Sequence, residues 1–192
     1  DLVIYGYPNR YISPSILCFF LGGYRLVHKY SVGLYKNCDF LNNVSIDFDE
    51  SISDVKQNLN LLEPLGIKNL GARTPKLQLP KEADAKINTY FDNLKLKRTK
   101  ICLHIGAGTP IKKWPLEHFV ELSNQLARIY NCSIIVIGGV LEQEEIKDYF
   151  ANVDVPVINT VGNFSVSETA AIIKKCDLLI SNDSGPMHIA SS

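Results

Sequence analysis

Ser133-Ile134-Ile135-Val136-Ile137, closed by Gly138-Gly139, is the stretch that decides the architecture. Every residue after the serine is apolar and β-branched. A strand of that kind belongs in a parallel sheet whose two faces are both covered by helices. Upstream, Ile101–Ile105 reads as another such strand. Pro115 then opens a helix that carries Phe119, Leu122, Leu126 and Ile129 on one face. Downstream, residues 141–151 read as a charged helix. Val155–Asn159 follows as a third strand, placed at an edge by Pro156. Ser165-Val166-Ser167-Glu168 is a capping box that opens a helix running to Lys175. Asp177–Ser181 is a fourth strand, and Ser184 begins the next helix. Strands alternating with helices in this way predict a doubly wound α/β unit, whose ligands bind beyond the carboxyl ends of the strands.

The first half reads less regularly. Leu2–Tyr5 is a short strand, and residues 13–21 form a helix with Ser13 as cap and Pro14 in its first turn. Short strands follow near 25–28 and 32–35. Ser53 caps a helix with Val55, Leu59 and Leu62 at helical spacing, stopped by Pro64 and Gly66. Residues 69–80 are loop-like and 81–94 an amphipathic helix. The polar run Lys95–Lys100 then forms a natural boundary, giving domains 1–97 and 98–192.

Composition excludes several classes. Twenty acidic and twenty basic residues balance, so no basic surface points to nucleic acid as a partner. The apolar run Ile16–Leu21 is far short of the roughly 20 residues that a membrane helix needs, and it lacks the basic flank of a signal peptide. A cytoplasmic protein is expected. The five cysteines show no C-x-x-C pair and read as buried reduced thiols. The four histidines form no ligand cluster, so no metal is expected.

Three polar blocks lie at strand ends. His104–Pro115 contains Gly106-Ala107-Gly108-Thr109 and the lysines Lys112 and Lys113. Its glycines allow close backbone approach, and its lysines could meet a diphosphate, although a tight turn alone would look similar. The block fits neither G-x-G-x-x-G nor a P-loop, which disfavours an NAD-dependent dehydrogenase. Gly138-Gly139-Val140-Leu141-Glu142 offers an acid for ribose hydroxyls or, more plainly, a glutamate favoured at a helix start. Asn182-Asp183-Ser184-Gly185-Pro186-Met187-His188 is the sharpest. Amides at 184 and 185 face the cleft, with Asp183 and His188 on the same side; the plain alternative is an Asx cap. Asp183, Ser184 and His188 have the composition of a hydrolase triad, but a serine and histidine four apart at one helix start do not give its geometry.

In this order and spacing, the blocks resemble the heptosyltransferase family, glycosyltransferase family 9. Its pattern reads roughly H-P-G-A-G-x-x-x-K-x-W-P, then G-G-x-x-E, a glycine turn, and N-D-[ST]-G-x-x-H. Here these are His104–Pro115, Gly138–Glu142, Val161–Ser165 and Asn182–His188, with Ile105 replacing the usual proline. The resemblance is dense over residues 100–192 and thin over 1–70. It implies a GT-B fold of two Rossmann-like parallel-sheet domains, both incomplete here, with 1–97 on the acceptor side and 98–192 holding the donor. It further implies an inverting transfer of heptose from ADP-heptose to the lipopolysaccharide inner core, without a cofactor or metal.

Residue by residue, Gly108, Thr109 and Lys112 match the donor-phosphate loop, Glu142 the acid on the ribose, and Phe164 an apolar position against the adenine. Asp183, Ser184, Gly185 and His188 match the loop gripping the diphosphate and sugar. The lipid of the acceptor leaves a peripheral contact with the inner membrane open. Another GT-B nucleotide-sugar transferase or epimerase, or a nucleotide-sugar-binding module without catalysis, are the competing readings. The chain opens inside a strand pattern without a methionine and stops at Ser192 as a helix begins, so both ends look cut. The family's catalytic aspartate would fall upstream of Asp1, and the 192-residue chain alone is expected to transfer no heptose.

Overall fold

The computed structural model describes residues 2–5, 13–20, 22, 24–28, 39–47, 49, 51–67 and 76–192. The chain forms two compact units, Asp1–Pro75 and Lys76–Ser192.

In the first unit, β1 (Leu2–Tyr5), β2 (Tyr24–His28) and β3 (Val44–Ile46) form a parallel sheet in that order. Helix α1 (Ser13–Phe20) connects β1 to β2. Leu2 pairs with Tyr24 and Leu26 with Val44. Arg25 ties the edge: its amide donates to Asn43 Oδ1 at 2.9 Å and its Nε to the Leu41 carbonyl at 2.6 Å. Strand β3 has only three residues, Val44-Ser45-Ile46, too short an alternation for periodicity to reveal it. The strand expected near 32–35 and the part of the loop at 69–75 lie outside the described residues. Helix α2 (Asp54–Asn60) has Ser53 as its cap, the hydroxyl accepting from the Lys56 amide at 3.4 Å. A short 3-10 turn (Glu63–Leu65) follows, ended by Gly66 at φ +79°, where a left-handed backbone favours glycine.

The second unit is built on α3 (Lys81–Asp92), β4 (Lys100–His104), α4 (Leu116–Tyr130), β5 (Ser133–Ile137) and α5 (Lys147–Asn152). It continues with β6 (Val157–Asn159), α6 (Val166–Lys174), β7 (Leu178–Ser181) and α7 (Gly185–Ala190). Its sheet is all parallel in the order β6-β5-β4-β7. The chain winds from β4 outward to β6, then returns to the other side of β4. That reversal is the topological switch point of a doubly wound fold, and β6 stands at an edge as Pro156 suggested.

Side-chain alternation along the central strands explains why they read as continuous apolar runs. Ile101, Leu103, Ile134 and Val136 face α4 and α5 and pack with Phe119, Ile146 and Tyr149. Cys102, Ile135 and Ile137 face the other way and pack with Ile87, Phe91, Ala171 and Ile172 of α3 and α6. A hydrogen bond shared with Cys176 and, second, burial push the Cys102 thiol up, which keeps it unreactive.

Three expectations are corrected here. Helix α3 was assigned to the first domain, with the boundary at 97/98. It packs instead in the second unit, because without Ile87 and Phe91 one face of that sheet would lack half its cover. Ion pairs reinforce the packing, Lys175–Asp84 at 2.9 Å and Lys86–Glu168 at 2.6 Å. The buried face of α4 is also rotated. It runs through Phe119 and Ser123, with Leu116, Val120, Leu126 and Ala127 beside them, while Ile129 is 68% exposed. Ser123 is tolerated there because its hydroxyl lies 2.8 Å from Tyr149 Oη and donates to the Phe119 carbonyl. The helix expected over 141–151 is a 3-10 turn at Val140–Glu142 followed by the shorter α5.

Two outcomes follow from the docking of α3. Ile87→Ala, at a fully buried position, should destabilise the second unit by about 2–5 kcal/mol, read by urea unfolding with Trp114 fluorescence. An unchanged midpoint would show that α3 is not part of that core. The ammonium of Lys86 and the cap at Ser165 hold the Glu168 carboxyl down to about 2, from an ordinary 4.5. A depressed carboxyl stabilises the fold fully above pH 4.5, and that contribution fades as pH falls towards about 2. Glu168→Gln should flatten this part of the acid-unfolding curve, and an unaltered curve would exclude the pair from it.

Candidate functional site

The switch point places the ends of β4, β5 and β7 side by side. In register, His104 of β4 stands opposite Ile137 on β5 and Ser181 on β7. The three polar blocks therefore leave the sheet at one level and meet. Three others of the expected residues sit on the loop after β4. Gly108 and Thr109 are exposed, with open space where a Cβ of residue 108 would lie, and Lys112 ends a short 3-10 turn, Pro110–Lys112.

A buried asparagine clasps this loop to the one after β7. Asn182, 7% exposed, donates through Nδ2 to the Ile105 carbonyl at 2.6 Å and accepts the Trp114 amide at 3.0 Å. Trp114 in turn packs edge-on against Phe119 in the core. Next to it, His104 is 5% exposed and sits between two polar partners. Its Nε2 lies 3.1 Å from Glu142 Oε1, and its Nδ1 3.0 Å from Ser184 Oγ. Glu142 also accepts the Gly139 amide at 2.6 Å.

One glycine of each pair, Gly106 and Gly138, is explained by this carboxylate rather than by a ligand. A Cβ on Gly106 would overlap the Glu142 carboxylate, and one on Gly138 would lie 2.8 Å from its Oε2. The glycines seat Glu142 between the loops. The hydrogen bond with His104 holds the Glu142 carboxyl below its ordinary value, helped by the Gly139 amide and opposed by partial burial. It is ionised at neutral pH, with lone pairs left to accept further hydrogen bonds.

After β7, the side chains leave α7 uncapped. Ser184 is the cap residue, yet no side chain bonds the first amides of α7, so the plain Asx-cap alternative does not apply. The Ser184 hydroxyl instead lies between His104 Nδ1 and the Asn182 carbonyl, 3.1 Å away. Gly185 has open space at its Cβ position. Asp183 reaches across to Lys112, Oδ2 to Nζ at 2.5 Å, with both side chains about half exposed. That ammonium is the main cause of a lowered Asp183 carboxyl, and nearby His188 adds a smaller pull. Lys113 is also paired, with Glu145.

Of the nine expected residues, Glu142 and Ser184 are thus joined through His104, and Lys112, Asp183 and His188 by charge, the two groups adjoining where Asp183 precedes Ser184, with Gly108, Thr109 and Gly185 on the same loops. Phe164 is tied elsewhere. Its ring meets Tyr90 of α3 edge-on, with centroids 5.0 Å apart, and the Lys86 ammonium lies 5.7 Å from its centre. The connecting residues His104 and Asn182 were not foreseen as functional. The signal was available: a polar residue ending or following a fully apolar buried strand needs a buried partner. Among the described residues, no group of three His, Cys, Asp or Glu is placed to hold a metal.

The profile of glycosyltransferase family 9 (heptosyltransferase) matches residues 28–192. This chain belongs to glycosyltransferase family 9. It is 30% identical to lipooligosaccharide heptosyltransferase 2 of Campylobacter jejuni serotype O:6 over 129 residues, covering 57% of this chain and 40% of that protein. To lipopolysaccharide heptosyltransferase 2 of Escherichia coli K12 it is 26% identical over 87 residues, covering 43% and 25%.

Among solved structures, a family 9 glycosyl transferase from Veillonella parvula superposes with a TM-score of 0.76 at 24% identity, over 99% of this chain and 53% of that one. Escherichia coli ADP-heptose lps heptosyltransferase II superposes at 0.70 and 22% identity, over 94% and 56%. These likenesses establish the fold, two Rossmann-like parallel-sheet units of the GT-B class. The chain spans about half the length of those solved chains, and 40% or less of the two curated relatives.

The Asn182 clasp generates a direct test. Asn182→Ala leaves the Trp114 amide and Ile105 carbonyl without partners, at a cost of about 1–3 kcal/mol. Thermal unfolding should fall accordingly, and Trp114 emission should shift as the loop loosens. Wild-type values for both would show that the clasp does not hold the loop.

Proposed function

We propose that this chain carries the nucleotide-sugar site of a heptosyltransferase that moves heptose from ADP-heptose, with inversion, to the lipopolysaccharide inner core. One observation carries the reading: motif loops far apart in sequence converge at the switch point of the sheet, the position at which doubly wound folds bind nucleotides. Membership of the heptosyltransferase family supplies the reaction class.

The roles follow from chemistry. Lys112 presents a half-exposed ammonium at the mouth, where it would bind the donor diphosphate and stabilise the charge that develops on the leaving group. The open backbone at Gly108 and Gly185 lets phosphate oxygens come close to the chain. Glu142, ionised and held from two sides, accepts ribose hydroxyls. The donor is a substrate, and neither cofactor nor metal is needed for this charge stabilisation. Phe164 remains an adenine contact in this reading only if the base extends towards α3. Among the described residues no helix is long and apolar enough to cross a membrane, and we assign the reaction to the cytoplasm, with the lipid-linked acceptor drawn from the inner membrane.

Calorimetric titration should show binding of ADP in preference to UDP, GDP and NAD. Lys112→Ala should weaken ADP about tenfold, and the loss should shrink as salt rises. A preference for UDP or GDP would keep the site and overturn the ADP-heptose assignment. Binding of ADP-heptose without transfer by the whole protein would leave a binding module.

A further inference from the structure

Among the described residues, His104 is the side chain that touches both Glu142 and Ser184 of the proposed donor site, and the family motif reading gave it no role. We infer that His104 is a positioning residue that fixes the Glu142 carboxylate and Ser184 at a set spacing, so that ribose and diphosphate are gripped together. The inference rests on the nucleotide-sugar reading above.

The argument begins with the sheet. Strand β4 lies between β5 and β7, so only its last residue can reach the loops of both neighbours. That residue is an imidazole, the only side chain with a ring nitrogen on each of two sides at a fixed separation. Its Nε2 meets Glu142 at 3.1 Å, and its Nδ1 meets Ser184 at 3.0 Å. Burial to 5% removes water as a competitor for either bond.

The charged and polar groups facing the pair are few. Glu142 faces the ring from the loop after β5, with Lys113 pulling on that carboxylate from the loop after β4. Ser184 faces the ring from the loop after β7, with the Asn182 carbonyl behind it. Without the ring, Glu142 would be held by the Gly139 amide alone, on a 3-10 turn whose Val140 and Leu141 are 66% and 95% exposed. Ser184 would otherwise set the entry to α7 with no side-chain cap. The sequence acid, imidazole, hydroxyl also has the order of a nucleophile relay. Here, however, the hydroxyl is shared with the Asn182 carbonyl and the acid with the Gly139 amide, so the chain of bonds ends in the backbone at both sides and works as a brace.

The two ring nitrogens can be separated by substitution. An asparagine amide reproduces the Nδ1 position and a glutamine amide the Nε2 position. We would titrate the whole chain, as wild type, His104→Asn, His104→Gln and His104→Leu, with ADP, AMP and 2′,3′-dideoxy-ADP. Circular dichroism would confirm that each variant is folded. Wild type should favour ADP over both analogues.

His104→Gln should keep the preference over dideoxy-ADP and lose about tenfold of the preference over AMP; His104→Asn should do the reverse, and His104→Leu should lose both. Equal losses for all three ligands in every variant would reduce His104 to a structural residue and overturn the inference, with the nucleotide reading intact. Labelling of Ser184 by a fluorophosphonate would overturn it too, by making the serine a nucleophile. A folded wild type that binds no nucleoside diphosphate would instead remove the reading on which the inference rests.

Discussion

The constraint on which the site depends is the burial of the carboxyl end of β4. Once both faces of the sheet are covered, the strand's last residues lie at the bottom of a cleft with helices on either side. Any polar group there must be satisfied by protein, because leaving it unpaired costs more than the net gain of a typical hydrogen bond. His104 and Asn182 meet that demand by bonding to all the loops around them. Satisfying the buried polar groups and gathering the ligand-facing groups are thus one and the same arrangement. Glu142 and Ser184 are held near each other because the histidine between them cannot go unpaired.

This also separates two roles for glycine that look alike in sequence. Gly106 and Gly138 are needed inside the protein, where a side chain would displace the Glu142 carboxylate. Gly108 and Gly185 meet open space. Only the second pair is free to admit a ligand, so a substitution at Gly106 should be read as damage to Glu142 placement before it is read as loss of a phosphate contact.

The four strands of the second unit were legible because burial on two faces leaves an apolar run that few other structures need, as in Ile134–Ile137. The capping box at Ser165 was legible because it is local, and the structure shows both of its bonds. What sequence could not give was decided by partners far along the chain. Helix α3 joins the second unit through Lys175, Glu168 and Ala171, none of them within 75 residues of it. The α4 face is set by Ser123, polar in any hydropathy pattern and buried only because Tyr149 meets it. Within the candidate site, the motifs gave the residues carried on its loops, whereas His104 and Asn182 act through contacts 38 to 80 residues away. Phe164 shows the converse case, an apolar residue whose partner Tyr90 lies on a helix that the motif pattern does not include.

The charge pattern at the mouth bears on how a donor would enter. Both lysines of the first block are already paired, Lys112 with Asp183 and Lys113 with Glu145, so neither ammonium stands as an uncompensated charge. Exposed pairs of this kind contribute only about 0–1 kcal/mol. A diphosphate brings two or more negative charges and several acceptor oxygens to the same ammonium, and a charge-assisted bond to phosphate exceeds what the carboxylate offers. Under the proposed function, displacement of Asp183 from Lys112 would be inexpensive, and it would free the carboxylate beside His188 as the phosphates arrived. In that reading the pair would keep the lysine in place, and shield it from weaker anions, without closing the site to the stronger one.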